Sequence, residues 1–463
     1  MDDETLMRQV VAECGVASVV PPADSAGRSL SPFGARMQAV PVLRPAHAQH
    51  VAAMVRLLRD AGKTLVPLGG ATGLASGVLP ATGAEWYLST ERMRQIERLD
   101  RDCRVAVVQA GVVLQTLQEA AAREDMLFPI DLGARGSASI GGLIATNAGG
   151  ERVLRFGMMR EQVLGLEVVM ADGTVLDLMD QVVKNNAGYD LKHLFIGSEG
   201  TLGIVTRAVL RLHPLPHGCH TAWCTVPDHD TVVRFLRHAQ GALGGTLSAF
   251  EVMWPDFHAL VTTRVPDMCS PVAAQGLQVL IEMEGSDTEH DMARFSAMLE
   301  VAFEQGWLLD AAIAQSLKER ESFWRLRDAV SEFPLMWAPY CGYDVSLPIG
   351  GLGRFVDELQ AALRERFPHC EHVHFGHVGD SNLHVGVHIA AAHGPFPEAD
   401  IDECVYGVLR RYGGSVSAEH GIGQHKKAYL GYSRTPQELA LMHTLKRALD
   451  PHNLLNPGKV LAS

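Results

Sequence analysis

A glycine-rich loop after a short strand is the feature that most constrains how this chain can fold. Residues 67–80 have the sequence PLGGATGLASGVLP and follow the apolar run 64–67, which predicts a strand. Glycines allow positive φ values and let backbone N–H groups come close to an anion. The glycine order differs from G-x-G-x-x-G, and no lysine follows as it does in a P-loop. The loop is therefore expected either to hold a pyrophosphate or to form a tight turn between domains.

A second glycine-rich stretch, residues 131–150, also needs a role. Its glycines and small polar side chains make a poor independent core, so its backbone is expected to lie against a flat or charged group. Further small-residue loops follow at 184–190 and 197–206. The periodicity around these loops predicts an α/β pattern, with a β-hairpin at Asp172-Gly173. A helix that ends at Gly62 is expected to place one apolar face inward, with Val51, Met54, Val55 and Leu58.

The composition excludes several classes of protein. With 463 residues, of which 47% are hydrophobic, the chain can form two or three domains with substantial cores. The net charge of −13 argues against a nucleic-acid partner, because no basic stripe is available to match a phosphate backbone. The eight cysteines show no C-x-x-C spacing and predict reduced thiols. The acidic N-terminus and the lack of a long apolar run predict a cytoplasmic protein with no transmembrane segment.

The second half of the chain has a different organisation. A composition break at residues 213–218 (HPLPHG) predicts a domain boundary. Beyond it, strand-like runs alternate with amphipathic helices, which predicts an antiparallel sheet with helices on one face. Thr435 to Glu438 form a capping box with proline at the first helical position, so a helix is expected to begin there.

Histidines are concentrated in residues 372–388. From Asn382 onward the alternation places His384, Gly386 and His388 on one face of a strand. A turn over residues 379–382 can bring the imidazoles of His377 and His384 to one point. With Glu419 as a third ligand, these side chains would suit a catalytic divalent metal, zinc first. The alternative is that they are ordinary surface or core histidines, since the chain contains 21.

These loops and motifs together resemble a known family. The loops at 67–80, 140–150, 186–191 and 197–203 are similar in kind and order to the FAD-binding domain of vanillyl-alcohol-oxidase-type flavoproteins. The segments 377–384, 419–423 and 449–459 are similar to those of FAD-linked D-2-hydroxyacid dehydrogenases, the group of the D-2-hydroxyglutarate, D-lactate and glycolate enzymes. The resemblance covers roughly residues 40–460. It implies an α+β fold with a two-subdomain FAD-binding domain (1–215), a substrate or cap domain with the metal site (216–430) and a C-terminal segment (431–463) that returns to the FAD domain.

The resemblance also implies a role for individual residues. Some members of the family attach FAD covalently through a histidine in the first glycine loop, and Ala71 lies where that histidine would be, so dissociable FAD is expected. The family's metal ligands match His377, His384 and Glu419, its base matches His420, and its substrate contacts match Arg327, Ser331 and His420. For Arg327 the alternative is an ion pair on a surface helix. The implied FAD-binding residues are Pro67, Gly69, Gly70, Ala71, Thr72, Gly73, Leu74, Ser137, Ser139, Ile140, Gly141, Gly142, Thr146, Asn147, Gly149, Glu199, Gly203, Ile204 and Asn456.

Two positions depart from the pattern of the 2-hydroxyglutarate enzymes. Those enzymes have a lysine where this chain has Gly342 and an asparagine where it has Gly386. Losing both removes polar anchors, which puts 2-hydroxyglutarate in doubt as the substrate and leaves room for a different or bulkier acid.

The predicted function is FAD- and metal-dependent oxidation of a D-2-hydroxyacid. Electrons are expected to pass to an electron-transfer flavoprotein or a quinone, because no nicotinamide-binding fingerprint is evident. Oxygen as acceptor stays open, as does a homodimeric state. The rival functions are a metal-free FAD-dependent alcohol or aldonolactone oxidase, a flavin-binding protein without turnover, and a zinc hydrolase that would leave the first 210 residues without a role.

Overall fold

The chain divides into two units, which the computed structural model describes over residues 1–273 and 275–462. The first unit contains residues 1–150 and 157–215 and the chain from Glu419 onward. The second contains residues 151–156 and 216–418. The stretch 419–430, which the sequence analysis counts with the second domain, bonds within the first unit, because the backbone N–H groups of Ile422 and Gly423 donate to the buried Glu199 carboxylate.

The first unit contains two main sheets and a short strand pair. A four-stranded sheet has the order β1-β2-β4-β3, in which β2, β4 and β3 run parallel. A five-stranded antiparallel sheet has the order β5-β6-β10-β8-β9, and β7 pairs with β11. With elements numbered in chain order, the strands are β1 (Val19–Val20), β2 (Val42–Leu43), β3 (Leu65–Leu68), β4 (Trp86–Ser89), β5 (Ile96–Asp100), β6 (Val105–Gln109), β7 (Met126–Leu127), β8 (Val163–Val169), β9 (Val175–Leu178), β10 (Ile204–Arg211) and β11 (His213–Pro214).

The helices of this unit follow from local sequence signals. The predicted face of the helix before the first loop is fully buried, and Gly62 after it has a φ of 65°. The capping box of the C-terminal helix is present, with Thr435 and Glu438 bonded reciprocally. The predicted hairpin is confirmed as β8 paired with β9. The helices are α1 (Asp3–Cys14), α2 (Pro22–Ser25), α3 (Ala48–Asp60), α4 (Leu114–Ala122), α5 (Ile140–Thr146), α7 (Met159–Gln162), α8 (Lys192–Phe195) and α16 (Pro436–Leu449).

The C-terminal segment pairs with the strand that leads into the first glycine loop. Leu65 in β3 donates its N–H to the Leu454 carbonyl at 2.9 Å, and Asn456 donates its N–H to the Leu65 carbonyl at 2.8 Å. Lys446 of α16 reaches the Asp450 carboxylate and the Leu455 carbonyl. The return of this segment, expected from the family resemblance, therefore places Asn456 beside the loop that follows β3.

The second unit is built on one seven-stranded antiparallel sheet. Its strand order is β15-β12-β14-β13-β17-β18-β16. Within the described residues, no helix is both long enough and apolar enough to cross a bilayer. The elements are α6 (Val153–Phe156), β12 (Gly218–Val226), α9 (His229–Leu243), β13 (Leu247–Met253), α10 (Pro255–Arg264), β14 (Leu277–Gly285), α11 (Thr288–Glu304), β15 (Asp310–Ile313), α12 (Leu317–Arg327), α13 (Phe333–Met336), β16 (Tyr340–Ser346), α14 (Leu352–Arg366), β17 (Glu371–Gly376), β18 (Asn382–His388) and α15 (Glu398–Arg410).

Helices cover both faces of this sheet, so the prediction of helices on one face is wrong. Phe323 of α12 contacts Trp223 on one face, whereas Phe235 of α9 contacts Phe250 on the other. All residues of β13 and β14 are buried. A strand buried on both faces loses the apolar–polar alternation that would have indicated a solvent-exposed face.

Candidate active site

The first unit contains a cleft at the end of β3, formed around the first glycine loop. The cleft has a volume of about 1060 Å³, including space open to solvent. Its walls come from the loops that the sequence analysis singled out, together with apolar residues that it did not. The lining residues are Pro67, Leu68, Gly69, Gly70, Ala71, Thr72, Gly73, Ala75, Gly77, Val78, Thr90, Ala138, Ser139, Gly141, Gly142, Leu143, Ala145, Thr146, Phe195, Ser198, Glu199, Gly200, Gly203, Ile204, Val205, His420 and Asn456.

Two glycines of the first loop, Gly69 and Gly70, are needed for close packing rather than for positive φ. A Cβ on Gly70 would lie 2.0 Å from the Ser137 carbonyl oxygen, and one on Gly69 would lie 2.4 Å from the Ser139 Oγ. Positive φ values in this loop belong to Ala71 (55°) and Ser76 (58°). The two glycine-rich stretches therefore touch backbone to backbone, and an added methyl group would separate them.

Most of the predicted FAD-binding residues line this cleft, but some do not. Ile140 is fully buried in the core, where it begins α5 after the cap residue Ser139. The side chain of Asn147 accepts a hydrogen bond from the Arg160 N–H. The predicted residues outside the lining are Leu74, Ser137, Ile140, Asn147 and Gly149. The sequence analysis did not identify the apolar lining residues, whose only signal is that they flank the glycine loops; these are Leu68, Val78, Leu143, Phe195 and Val205.

The cleft offers polar groups that suit a flavin dinucleotide. Asn456 is 3% exposed, and its Nδ2 donates to the carbonyl oxygens of Gly77 and Glu199. These bonds hold the amide in place while its buried Oδ1 has no partner among the described residues. An unpartnered buried acceptor is costly unless a ligand or water donates to it. The imide N–H of an isoalloxazine, or an amino group, could satisfy this oxygen, and the small-residue walls leave room for flat rings.

A buried carboxylate shapes the loop that carries His420. Glu199 accepts the N–H groups of Ile422 at 2.7 Å and Gly423 at 2.9 Å. Burial raises the pKa of Glu199, an effect that these two hydrogen bonds and nearby lysines oppose. A Cβ on Gly421 would lie 2.8 Å from the Glu199 Oε1, so the loop fits tightly around this carboxylate. Glu199 thereby fixes the turn that presents the His420 side chain to the cleft. Glu419, one residue earlier, accepts the Gly150 N–H at 2.8 Å.

In the second unit the structure brings two of the predicted metal ligands together. The ring centroids of His377 and His384 lie 5.4 Å apart, at 79° to each other. The turn between them ends at Ser381, which has a φ of 74°. His377 is 6% exposed and His384 is partly buried. Because His377 and His384 are seven residues apart, they would lie on opposite faces of one continuous strand. The turn over 379–382 brings their rings together instead.

Each imidazole of this pair lies near a buried carboxylate. His377 Nδ1 is 2.7 Å from Glu251 Oε1, and His384 Nδ1 is 4.0 Å from Asp344 Oδ1. Asp344 is fully buried and accepts hydrogen bonds from Asn382 Nδ2 and the Ala418 N–H. Histidines that bind a metal through one ring nitrogen usually direct the other nitrogen to such an oxygen. His377 has this arrangement, whereas the 4.0 Å separation between His384 Nδ1 and Asp344 Oδ1 is longer than a hydrogen bond.

Glu251 links the histidine pair to the predicted substrate-binding arginine. It is 1% exposed and accepts from Arg327 Nε at 2.9 Å as well as facing His377. Although burial opposes ionisation, the adjacent imidazole and guanidinium lower the pKa of Glu251 to about 2. Glu251 was not predicted from the sequence. Its signal was a single charge inside the otherwise uncharged strand segment LSAFEVM.

Arg327 is buried rather than on a surface helix face, at 6% exposed. Its guanidinium also contacts Asp328 Oδ1 at 3.3 Å and His377 Nε2 at 3.1 Å. Burial opposes the charge of Arg327, but Glu251 and Asp328 raise its pKa, so the guanidinium stays cationic. Ser331 is exposed and donates its hydroxyl to the Asp328 carbonyl.

The two glycines that depart from the 2-hydroxyglutarate pattern face each other. Gly342 of β16 and Gly386 of β18 are direct cross-strand partners, and they lie two residues along their strands from the paired Asp344 and His384. A Cβ on Gly386 would lie 2.8 Å from the Trp337 ring, which is 1% exposed. The indole therefore covers the place where a side chain at 386 would point, and the sheet surface beside His384 is aromatic.

Comparison with known proteins identifies the family of this chain. Residues 215–460 match the family of C-terminal domains of FAD-linked oxidases, and residues 40–179 match a family of FAD-binding domains. A D-2-hydroxyglutarate dehydrogenase of Xanthomonas citri pv. viticola is 40% identical over 421 residues, which cover 90% of this chain and 88% of the relative. The mitochondrial D-2-hydroxyglutarate dehydrogenase of Bos taurus is 40% identical over 420 residues, which cover 91% and 76%.

Solved structures extend the likeness to the whole fold. A p-cresol methylhydroxylase with bound substrate has a TM-score of 0.75 at 17% identity, covering 99% of this chain and 96% of that one. A 4-ethylphenol oxidase from Gulosibacter chungangensis has a TM-score of 0.73 at 16% identity, covering 99% and 97%. At such low identity these matches bear on the fold alone. The α+β fold expected from the sequence is confirmed, and the two family matches support FAD as the cofactor. The chain therefore belongs to the FAD-linked oxidases, in the group of FAD-linked dehydrogenases that includes the D-2-hydroxyglutarate dehydrogenases.

Proposed function

We propose that this protein oxidises a D-2-hydroxyacid to the 2-oxoacid in a reaction that depends on FAD and a divalent metal. The observation that carries the proposal is the contact between the buried His377 and the partly buried His384, with Glu251 and Asp344 beside them, in a chain that belongs to the FAD-linked dehydrogenases. The reaction removes one proton from the hydroxyl and a hydride from C2. The chemistry that FAD supplies when bound is acceptance of that hydride.

The metal would be held by His377, His384 and Glu419, with zinc as the first candidate. Two imidazoles and a carboxylate are ligands that zinc accepts in catalytic sites, where a further position stays open for substrate. Such an ion lowers the pKa of a coordinated hydroxyl. Support for the two histidines comes from their neighbouring carboxylates, and support for Glu419 comes from the family resemblance of residues 419–423.

The remaining steps fall to side chains of the chain itself. His420 lines the flavin cleft and is proposed to accept the hydroxyl proton, since imidazole titrates near neutral pH. Arg327 is proposed to bind the substrate carboxylate, for which a guanidinium offers two parallel donors. Arg327 Nε donates to Glu251, and this bond fixes the orientation of the guanidinium group. Ser331 is proposed as an additional substrate contact. Cofactor binding is proposed to be non-covalent because Ala71 offers no nucleophile.

The substrate is proposed to lack a second carboxylate. The relatives named above act on D-2-hydroxyglutarate, but Gly342 and Gly386 provide no polar side chain, and Trp337 covers the sheet beside them. An uncharged side chain loses less hydration than a carboxylate against an aromatic wall. D-lactate and larger apolar D-2-hydroxyacids are therefore the preferred candidates. Trp337 fills the space that a side chain at position 386 would occupy. The substrate must therefore fit beside the indole ring rather than in that space.

The proposed electron acceptor is an electron-transfer flavoprotein or a quinone. All eight cysteines are free thiols in the structure, which suits a reducing compartment such as the cytoplasm, the proposed location. Measuring reoxidation of the reduced flavin by oxygen and by a quinone analogue tests the acceptor. Reoxidation by oxygen at the rate of turnover would favour an oxidase instead.

The decisive experiment is an anaerobic screen of flavin reduction with D- and L-2-hydroxyacids, with and without EDTA. We expect the flavin absorbance to bleach with a D-acid, to persist with its L-enantiomer, and to persist with the D-acid after chelation. Bleaching that is unaffected by EDTA would point to the metal-free alcohol oxidase. A flavin that no hydroxyacid reduces would point to a binding protein without turnover.

A variant pair tests the assigned base. His420→Ala should abolish reduction while the purified protein stays yellow, whereas His452→Ala, at an exposed position near the C-terminus, should leave the rate unchanged. A near-normal rate for His420→Ala would show that another group takes the proton.

A further inference from the structure

A second cluster of metal-ligating side chains lies in the second unit, apart from the proposed catalytic residues. His372 and His374 alternate along β17 and so point to the same face of the sheet, and Asp256 is the second residue of α10. His374 Nδ1 lies 2.6 Å from Asp256 Oδ2, and His372 Nδ1 lies 3.5 Å from the same oxygen. One ligand atom from each of the three residues lies within 4.8 Å of the others.

This cluster shares no residue with the proposed catalytic metal site and faces the other side of the sheet. His372 and His374 of β17 pair with Val387 and Val385 of β18, whereas His384 of β18 pairs with Phe375 of β17. Directly paired residues of antiparallel strands share a face, and neighbours along a strand alternate. The side chains of His372 and His374 therefore point away from that of His384.

The carboxylate of Asp256 is held so that one oxygen faces both imidazoles. Its Oδ1 accepts the backbone N–H of His374 at 3.1 Å and that of Phe257 at 2.7 Å. Its Oδ2 accepts from Gln360 Nε2 at 3.2 Å. A carboxylate oriented by backbone N–H groups and an amide is the usual outer support of a metal ligand.

Each imidazole of this cluster has one ring nitrogen that the protein does not satisfy. Among the described residues, His372 Nδ1 and His374 Nε2 are buried and have no hydrogen-bond partner. His374 is fully buried. Because an unsatisfied buried polar atom opposes folding, His372 Nδ1, which lies beside Asp256 Oδ2, indicates that a ligand is expected there.

We propose that Asp256, His372 and His374 form a second divalent metal site, of the zinc class. Zinc binds imidazole nitrogen and carboxylate oxygen at about 2.0–2.2 Å, so tetrahedral ligand atoms stand roughly 3.4 Å apart. The separation between Asp256 Oδ2 and His372 Nδ1 already has this value, at 3.5 Å. His374 Nδ1 is held by a hydrogen bond and would move outward by under 1 Å as the ion displaces its proton.

A metal here would tie α10 to β17, the strand that leads into His377.

The test is zinc stoichiometry in the full-length, FAD-loaded protein after chelation and dialysis against buffered zinc. Asp256→Asn and His372→Gln should each bind one zinc fewer per chain than the wild type. The control His290→Gln alters an exposed Asp–His pair on α11 and should bind as the wild type does. His384→Gln reports on the proposed catalytic site separately, so the two proposals fail independently. Equal zinc content in the wild type and in both cluster variants would overturn the proposal.

A second measurement covers the case in which a ligand variant does not fold. Gln360→Ala leaves all three ligands in place and removes only the amide that supports Asp256. It should weaken zinc binding at this site by about 10–100-fold. FAD content and melting temperature establish that each variant is folded. Two results together would show that water fills the cluster instead. These are an unchanged zinc affinity in Gln360→Ala, and a melting temperature that zinc raises no more in the wild type than in His372→Gln.

Discussion

Replacing Glu251 by glutamine should destabilise the second unit strongly at neutral pH. The glutamine keeps the volume and one acceptor oxygen but leaves the buried Arg327 guanidinium without its main counter-charge. Breaking a buried ion pair costs about 3–5 kcal/mol. The pKa of Glu251, lowered from 4.5 to about 2, gives a contribution of the same order, roughly 3 kcal/mol. The two routes agree.

The pH dependence has a definite sign. Because the folded-state pKa is the lower one, the stabilisation is present above pH 4.5 and is lost as the pH falls towards 2. The wild type should therefore lose stability across this window more steeply than the Glu251→Gln variant. Below pH 2 the two proteins should have similar stability in this unit.

Hydrogen exchange of peptides that contain β13 is the appropriate assay, because it reports opening of one unit without assuming two-state unfolding of the whole chain. A loss of about 3 kcal/mol corresponds to exchange roughly 100-fold faster. The double variant Glu251→Gln/Arg327→Met removes both charges and should be more stable than the sum of the single variants predicts. Glu358→Gln, which alters an exposed pair with Arg411, should behave as the wild type does. Exchange in Glu251→Gln within threefold of the wild type would refute the reasoning.

Three further predictions concern the first unit. Gly70→Ala should be purified largely without FAD, measured from the 450 nm absorbance per chain, because its Cβ would lie 2.0 Å from the Ser137 carbonyl; yellow protein with full occupancy would contradict this. Glu199→Gln should reduce the rate of flavin reduction more than FAD content, since it weakens two hydrogen bonds to the His420 loop, and stopped-flow reduction at equal occupancy is the measurement. Asp450→Asn should lower the melting temperature by several degrees, because the Asp450 carboxylate is fully buried and accepts two backbone N–H groups. An unchanged melting temperature would show that other contacts hold the C-terminal segment.

Local signals predicted local structure well. The apolar face of α3, the β8–β9 hairpin and the capping box of α16 each depend on residues within a few positions of one another. The glycine loops likewise indicated a backbone-lined cleft, although the reason for their glycines was different. Close approach of two loops, rather than positive φ, excludes larger residues at Gly69 and Gly70.

The candidate site was predictable only in part. Alternation and the turn residues indicated that His377 and His384 meet, and the structure brings their rings together. Glu251 and Asp344 could not be assigned, because their partners lie far away in sequence and reach them only through the order of strands in the seven-stranded sheet.

Sequence alone therefore determined the elements, the flavin cleft and the residue types available for chemistry, since periodicity and glycine content act over a few neighbouring residues. Tertiary structure alone decided which charges meet. The Glu251–Arg327–His377 contact, the packing of Trp337 against Gly386, and the Asp256–His372–His374 cluster all depend on strand register and on the helices that pack against the sheet. Register is a property of the assembled sheet, because each strand's pairing is set by the burial of all its neighbours together.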